Sequence, residues 1–349
     1  MTDARRYSNK TLTMVLVVLL TIASAATLEI AARVAGWETW KVEDPGVRVE
    51  PGGRLFATDP DLGYTHIPGE FRVELATGFG FDVTHGEDTL RLTAPAGKAT
   101  GEPAPEIWLL GCSFTHGWSL NDDESYPWRL QQLLSDYRIV NFGVSGYGTV
   151  QSLLQLQRAL ADGDKPAAII LAYAHFHDVR NTFVRKRRKQ VAPWNYLGRL
   201  THPRARFDAD GDVRIELVPV TYEEFPLMRY SALAHAVEML YNDYEAWSAR
   251  SADVTLELIV MTAALAQEAG VPFAVAGITD SRHTTAMLQL AGQRGLETVD
   301  IATDLNREGY TNKPHDAHPS GLATRVYADR LASYLRDGPL MNTPGATRQ

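Results

Sequence analysis

Five apolar β-type runs separated by helix-length stretches constrain this chain more than any other feature. They read IWLLG from Ile107, RIVNFGV from Arg138, AAIILAYA from Ala167, PFAVAGI from Pro272 and ETVDIA from Glu297. Between and after them lie SYPWRLQQLLSD, TVQSLLQLQRALAD, DVTLELIVMTAALAQEAG and GLATRVYADRLASYL, each with helical spacing of apolar residues. Strands with little polar alternation are buried on both faces, and helical crossovers join parallel neighbours. The expected fold is therefore α/β: a three-layer, doubly wound, mainly parallel five-stranded sheet. Ligands of such sheets bind beyond the carboxyl ends of the strands.

The rhythm is interrupted from Asn181 to about Arg250 by a basic run, VRKRRKQ, an Asp-Gly hairpin signal in RARFDADGDVRIELVPV, and an aromatic stretch, MRYSALAHAVEMLYNDYEAW. An insertion after the third strand is a candidate lid or substrate-selecting element. Residues 36–105 are rich in Gly, Pro and Asp, with short alternating runs such as FRVEL and TLRLT. The expected organisation is a cytoplasmic stub and transmembrane anchor at 1–35, a membrane-proximal segment with short strands at 36–105, the sheet domain at 106–338 with its insertion at about 181–250, and a tail at 339–349.

The anchor rests on the run from Thr11 to Leu28, which contains no charge and follows Arg5, Arg6 and Lys10. Its length reaches that of a spanning helix, and positive charge on the leading flank predicts a cytoplasmic N-terminus with the remainder translocated. Ala23-Ser24-Ala25 resembles a signal-peptide cleavage site, but the apolar run is longer than a signal core, which favours a retained single-pass anchor and an extracytoplasmic domain. A net charge of -8 argues against a nucleic-acid partner. One cysteine, Cys112, permits no intrachain disulfide.

Three segments carry candidate chemistry. Gly111-Cys112-Ser113 follows the first strand directly, so a serine hydroxyl stands at the sheet edge; the same position suits a plain helix cap. Asn141 to Thr149, NFGVSGYGT, is a glycine-rich turn able to bring backbone N–H groups to an oxyanion. Asp316-Ala317-His318-Pro319 precedes the last helix and offers a base with a carboxylate two residues away, or a surface loop with a cap.

In this order the segments resemble the SGNH (GDSL-type) hydrolase superfamily over roughly Ile107 to Leu335, and its membrane-anchored bacterial branch over most of the chain. The resemblance implies a flavodoxin-like SGNH hydrolase fold and a membrane-anchored serine esterase or O-acyl hydrolase. It implies Ser113 as nucleophile, His318 as base and Asp316 as its orienting partner, with an oxyanion hole from Ser113, Gly146 and the residue at His177. No cofactor and no metal are implied. Expected partners are an acylated small molecule or glycan and, through the N-terminal helix, the membrane.

Two positions depart from the family pattern. Cys112 stands where the family has Asp, and is expected to be buried packing. In His175-Phe176-His177-Asp178, His177 takes the place of the oxyanion Asn; an imidazole N–H can donate the same bond. Alternatives are acyl transfer to a glycan, a non-catalytic glycan-binding or assembly protein on the same fold, and a metal-dependent hydrolase. The last is motivated by His175-x-His177, which on a strand would face one side, and by His315-x-x-His318. The basic run Arg185, Lys186, Arg187, Arg188, Lys189 reads as a solvated stretch, or as a contact for an anionic ligand.

Overall fold

The computed structural model describes residues 2–41, 46–95, 104–163, 165–338 and 340, without the side chains of 2–9, 195 and 196. The tail from 341 onward lies outside the described residues. In chain order the elements begin with helix α1 (Thr2–Val34) and strands β1 (Arg48–Glu50), β2 (Phe56–Asp59), β3 (Gly63–His66), β4 (Gly69–Glu74) and β5 (Gly80–His85). Next come β6 (Glu106–Leu110), α2 (Ser113–His116), α3 (Tyr126–Leu133), β7 (Arg138–Asn141), α4 (Thr149–Ala161) and β8 (Ala168–Tyr173). After β8 comes α5 (His177–Asn181), and the insertion then supplies α6 (Arg185–Val191), β9 (Thr201–Phe207), β10 (Val213–Pro219) and α7 (Ala232–Ser248). The chain closes with α8 (Ser251–Glu268), β11 (Phe273–Gly277), α9 (Arg282–Gln293), β12 (Glu297–Asp300) and α10 (Gly321–Asp337).

These elements form two compact units, one of Met1–Asp44 with Tyr222–Glu245 and one of Pro45–Thr221 with Ala246–Gln349. The larger is built on the expected five-stranded sheet, ordered β12-β11-β8-β6-β7, with every neighbouring pair parallel. Alternation along β6 explains its two layers. Ile107 and Leu109 face α3 and α10, packing with Tyr126, Leu130, Tyr327 and Leu331. Trp108 and Leu110 face the other way, towards Leu156 of α4, Ile259 of α8 and Met287 of α9. The central strand β8 is buried at all six residues, as its unbroken apolar run requires.

Helix starts follow local chemistry. Ser125, Ser281 and Ser320 each accept a backbone N–H in the first turn of α3, α9 and α10. The Asp-Gly signal becomes the antiparallel hairpin β9–β10, whose Ala205 packs against Val150 and Leu153 of α4 and Val254 and Leu258 of α8. The basic run forms α6, with Arg187 buried, so it is not a wholly solvated stretch. FRVE lies in β4 of a three-stranded antiparallel sheet, β1-β4-β5. Of TLRLT only Arg91 makes β-bridges, to His85 and to Asn141 of β7.

Candidate active site

The site assembles at the carboxyl ends of β6, β7 and β8. After β6 the backbone turns at Cys112 into the short helix α2, whose first residue is Ser113. Cys112 itself is fully buried and carries a free thiol, the packing role expected of it. The turn is tight because glycine-loop backbone presses on it: a Cβ on Gly143 would stand 2.4 Å from the His116 amide nitrogen. Asn141 stitches the two together, donating to Thr115 O at 3.0 Å and accepting from Gly143 N at 2.9 Å.

Ser113 and His318, 205 residues apart, meet: the hydroxyl oxygen lies 3.0 Å from His318 Nε2. On the far side of the ring, Nδ1 lies 2.7 Å from Asp316 Oδ1, which also accepts the His318 backbone N–H at 2.7 Å. Burial pushes the Asp316 carboxyl up, but bonds from His318 and Ser119 and the imidazole's charge outweigh it, so its pKa ends below the ordinary value. Asp316 is thus a carboxylate at neutral pH and fixes the ring with Nδ1 protonated and Nε2 open to the serine hydroxyl. Two holders were not foreseen in the sequence. Ser119 Oγ donates to Asp316 at 3.0 Å, and Asn312 Nδ2 donates to both the carbonyl and the hydroxyl of Ser119, at 2.8 and 2.9 Å. The ring of His315 stands outside this chain of bonds, stacked on Phe79.

The glycine loop is held by its carbonyls. Tyr64 hydroxyl donates to Ser145 O at 3.0 Å, Arg187 to Gly146 O at 2.5 Å and Arg180 to Tyr147 O at 2.8 Å. In a trans peptide the N–H points opposite to the C=O, so the bond to Ser145 O sets the direction of the Gly146 N–H. Gly146 adopts φ 87°, and a Cβ there would lie 2.4 Å from the Tyr64 hydroxyl. Arg187 is buried and turned towards the glycine loop rather than the surface.

His177 departs from the expected strand geometry. β8 ends at Tyr173, His175 lies in the following turn and His177 opens α5. The two histidines therefore do not form a paired strand face. His175 Nδ1 lies 3.2 Å from Thr279 Oγ1. His177 is fully buried between the rings of Tyr173 and Phe176, and neither of its ring nitrogens has a hydrogen-bond partner. Burial first, and then the charge of Arg180, push its pKa well down, so it stays neutral. Any hydrogen bond it gives comes from a neutral N–H.

Next to it, burial raises the Asp178 carboxyl to about 7 against hydrogen bonds from Thr255 and Tyr173. The folded protein then holds this proton well above the ordinary carboxyl pKa of 3.8, where the unfolded chain has released it. More protons bound in the folded state mean that stability falls as pH rises from about 4 to about 7 and levels off above. Asp178→Asn is expected to shrink the difference in melting temperature between pH 5 and pH 7.5; an unchanged difference would remove Asp178 as its source.

Among the described residues one histidine cluster has the make-up of a metal site: His66, His85 and His116, all buried, with ring nitrogens within 4.8 Å of one another. His85 Nε2 and His116 Nε2 lie 3.0 Å apart, His85 Nδ1 bonds Ile67 O, and Ser145 Oγ reaches His116 Nδ1 at 3.4 Å. The His66 and His85 rings stack at 4.1 Å with 13° between their planes. Near-parallel stacked rings keep the lone pairs of His66 and His85 in separate parallel planes, whereas metal ligands converge on one point, so the arrangement is that of packed neutral imidazoles, with His116 joining α2 to the glycine loop through Ser145.

No protein-family model matches the sequence, and no curated protein matches it. Solved structures do. The chain is similar to a putative lipolytic protein of the G-D-S-L family from Desulfitobacterium hafniense DCB-2, with 13% identity and TM-score 0.37, covering 65% of this chain and 98% of that one. It is similar to a member of the lipolytic protein G-D-S-L family from Veillonella parvula DSM 2008 (11%, TM-score 0.39, 66% and 98%). A third is AlinE4, an SGNH-hydrolase family esterase (17%, TM-score 0.36, 70% and 100%). Likeness at this level carries no argument about chemistry.

Proposed function

We propose that the protein is a serine esterase or O-acyl hydrolase held at the membrane by α1, with its site on the far side from the N-terminus. One observation carries the reading: Ser113 Oγ at 3.0 Å from His318 Nε2, with Nδ1 of the same ring at 2.7 Å from Asp316. A serine hydroxyl becomes nucleophilic when a positioned base accepts its proton as it attacks. Ser113 Oγ bonds to the acyl carbonyl carbon while His318 Nε2 takes the hydroxyl proton. Asp316 stabilises the imidazolium. The N–H groups of Ser113 and Gly146 and the ring N–H of His177 hold the oxyanion. Collapse breaks the ester C–O bond, and His318 returns its proton to the departing alcohol. Water then attacks the acyl-serine with His318 again as base, releasing the acid and restoring Ser113.

A fluorophosphonate probe added to the full-length protein is the direct test. Covalent labelling at Ser113 that disappears in Ser113→Ala supports the reading, and failure to label the folded wild type overturns it.

The role of His177 has its own measure. Removing one oxyanion donor costs about 100- to 1000-fold in kcat. His177→Ala is expected to lose that much, and His177→Asn, which supplies an amide donor, to recover most of it. A His177→Ala variant turning over at the wild-type rate would exclude the ring from the oxyanion hole.

A further inference from the structure

We infer that Tyr222–Glu245 is a membrane-interface element, with the outward side of α7 seated in the headgroup region of the bilayer that α1 crosses. The inference rests on the reading of α1 as a retained anchor and adds a second, non-spanning contact with lipid.

The burial pattern of α7 is the reverse of what water selects. Glu238 and Asn242 are fully buried, while Val237, Leu240, Tyr241 and Tyr244 are 43%, 66%, 48% and 59% exposed. Positions 237, 240, 241 and 244 follow one another at the spacing of a single helix face. Leu227 and Tyr230, in the turn before α7, are 69% and 79% exposed. A contiguous apolar and aromatic face over buried polar groups marks a surface that meets something other than water.

Contacts with α1 identify the occupant as lipid. Lys10–Val34 is the stretch of α1 long and apolar enough to cross a membrane, and its apolar window has no buried residues. Near its end Glu29 accepts hydrogen bonds from Ser231 Oγ at 2.7 Å and from the backbone N–H groups of Ala232 and Leu233, each at 3.0 Å. The start of α7 is thereby tied five residues before the span ends. Counted from Lys10 at roughly 1.5 Å per residue, Glu29 stands about 29 Å along the span, close to the ~30 Å at which hydrocarbon gives way to headgroups. These bonds, with Arg33 Nε at 2.7 Å, also give a carboxylate in an apolar helix its partners. Further along, Trp40 N–H donates to Met228 O and His235 Nδ1 lies 2.8 Å from Glu38 O. The surrounding side chains are those of an interfacial belt: Trp37 against His235, and Arg229 over Trp40. An interfacial helix has this composition, with an aromatic and aliphatic face towards the acyl boundary.

The test uses the full chain in lipid nanodiscs of phosphatidylcholine and phosphatidylglycerol. Single environment-sensitive fluorophores are attached through Leu20→Cys, Leu240→Cys, Tyr241→Cys and, as an aqueous control at the hairpin tip, Asp210→Cys, each in a Cys112→Ser background. Nitroxide lipids probe contact with the bilayer and iodide probes contact with water. At 240 and 241 we expect shallow nitroxide lipids to quench several-fold more, and iodide several-fold less, than at 210. Iodide quenching at 240 and 241 equal to that at 210, with the label at 20 quenched by deep nitroxide lipids, overturns the interfacial face and leaves the anchor standing. Protection of 240 and 241 from both quenchers means that protein, such as a second copy, covers the face, and also overturns it. Absence of residue 20 from the mature protein overturns the anchor and this inference with it.

Discussion

Ser113→Ala is expected to lower kcat for short acyl esters by about 10⁶-fold, because the nucleophile, base and orienting carboxylate of such a site act as a unit. The loss belongs to chemistry and not to folding. Ser113 is buried at the start of α2, its hydroxyl meets the partly exposed His318, and alanine fits the same backbone. Unfolding free energies of variant and wild type are therefore expected to agree within about 1 kcal/mol. A variant that keeps more than a tenth of the wild-type rate, purified free of contaminating esterase, would end the serine mechanism.

The second large effect concerns Arg91, a residue that touches no reacting atom. Its side chain is fully buried, and its guanidinium donates to the carbonyls of His116, Gly117 and Leu120 at 2.9, 2.5 and 2.7 Å. It also reaches Asp82 O at 3.3 Å and the Asp122 carboxylate at 2.9 Å. One planar fork thus holds the backbone that leads from α2 to Ser119, the residue that donates to Asp316. Arg91→Ala removes this donor from all of them, leaving Asp122 Oδ1 only the Thr84 N–H at 3.1 Å, and is expected to cost about 3–5 kcal/mol. Arg91→Lys recovers little of this, because a single ammonium cannot span acceptors arranged for a fork. Denaturant unfolding decides it. A loss under 1 kcal/mol for Arg91→Ala would mean that the loop is held by something else.

The sequence was most legible where the information is local. Apolar runs, serine caps and the Asp-Gly turn each depend on residues within a few positions, so β6, β7, β8, β11 and β12 and the hairpin β9–β10 follow from pattern alone. Gly111-Cys112-Ser113 and Asp316-Ala317-His318 were visible for the same reason. Tyr64, Arg91, Ser119, Asn312 and Arg187 were not. Four of the five bind main-chain carbonyls in or beside the site, and a carbonyl leaves no mark in a sequence; Ser119 acts through its hydroxyl on Asp316. Arg187 illustrates the limit, since five consecutive basic residues look alike until folding turns one of them inward.

By itself the sequence determined which segments become strands and helices and which short motifs carry the serine, the histidine and the carboxylate, because neighbouring side chains set backbone preference and solvent partition. Tertiary structure alone decided that a hydroxyl and an imidazole 205 residues apart come within 3.0 Å, and that His177 is neutral and without a partner. It also decided that α7 turns its apolar side outward. Such outcomes depend on which distant surfaces close upon one another, and that is fixed by packing of the whole chain rather than by any window of it.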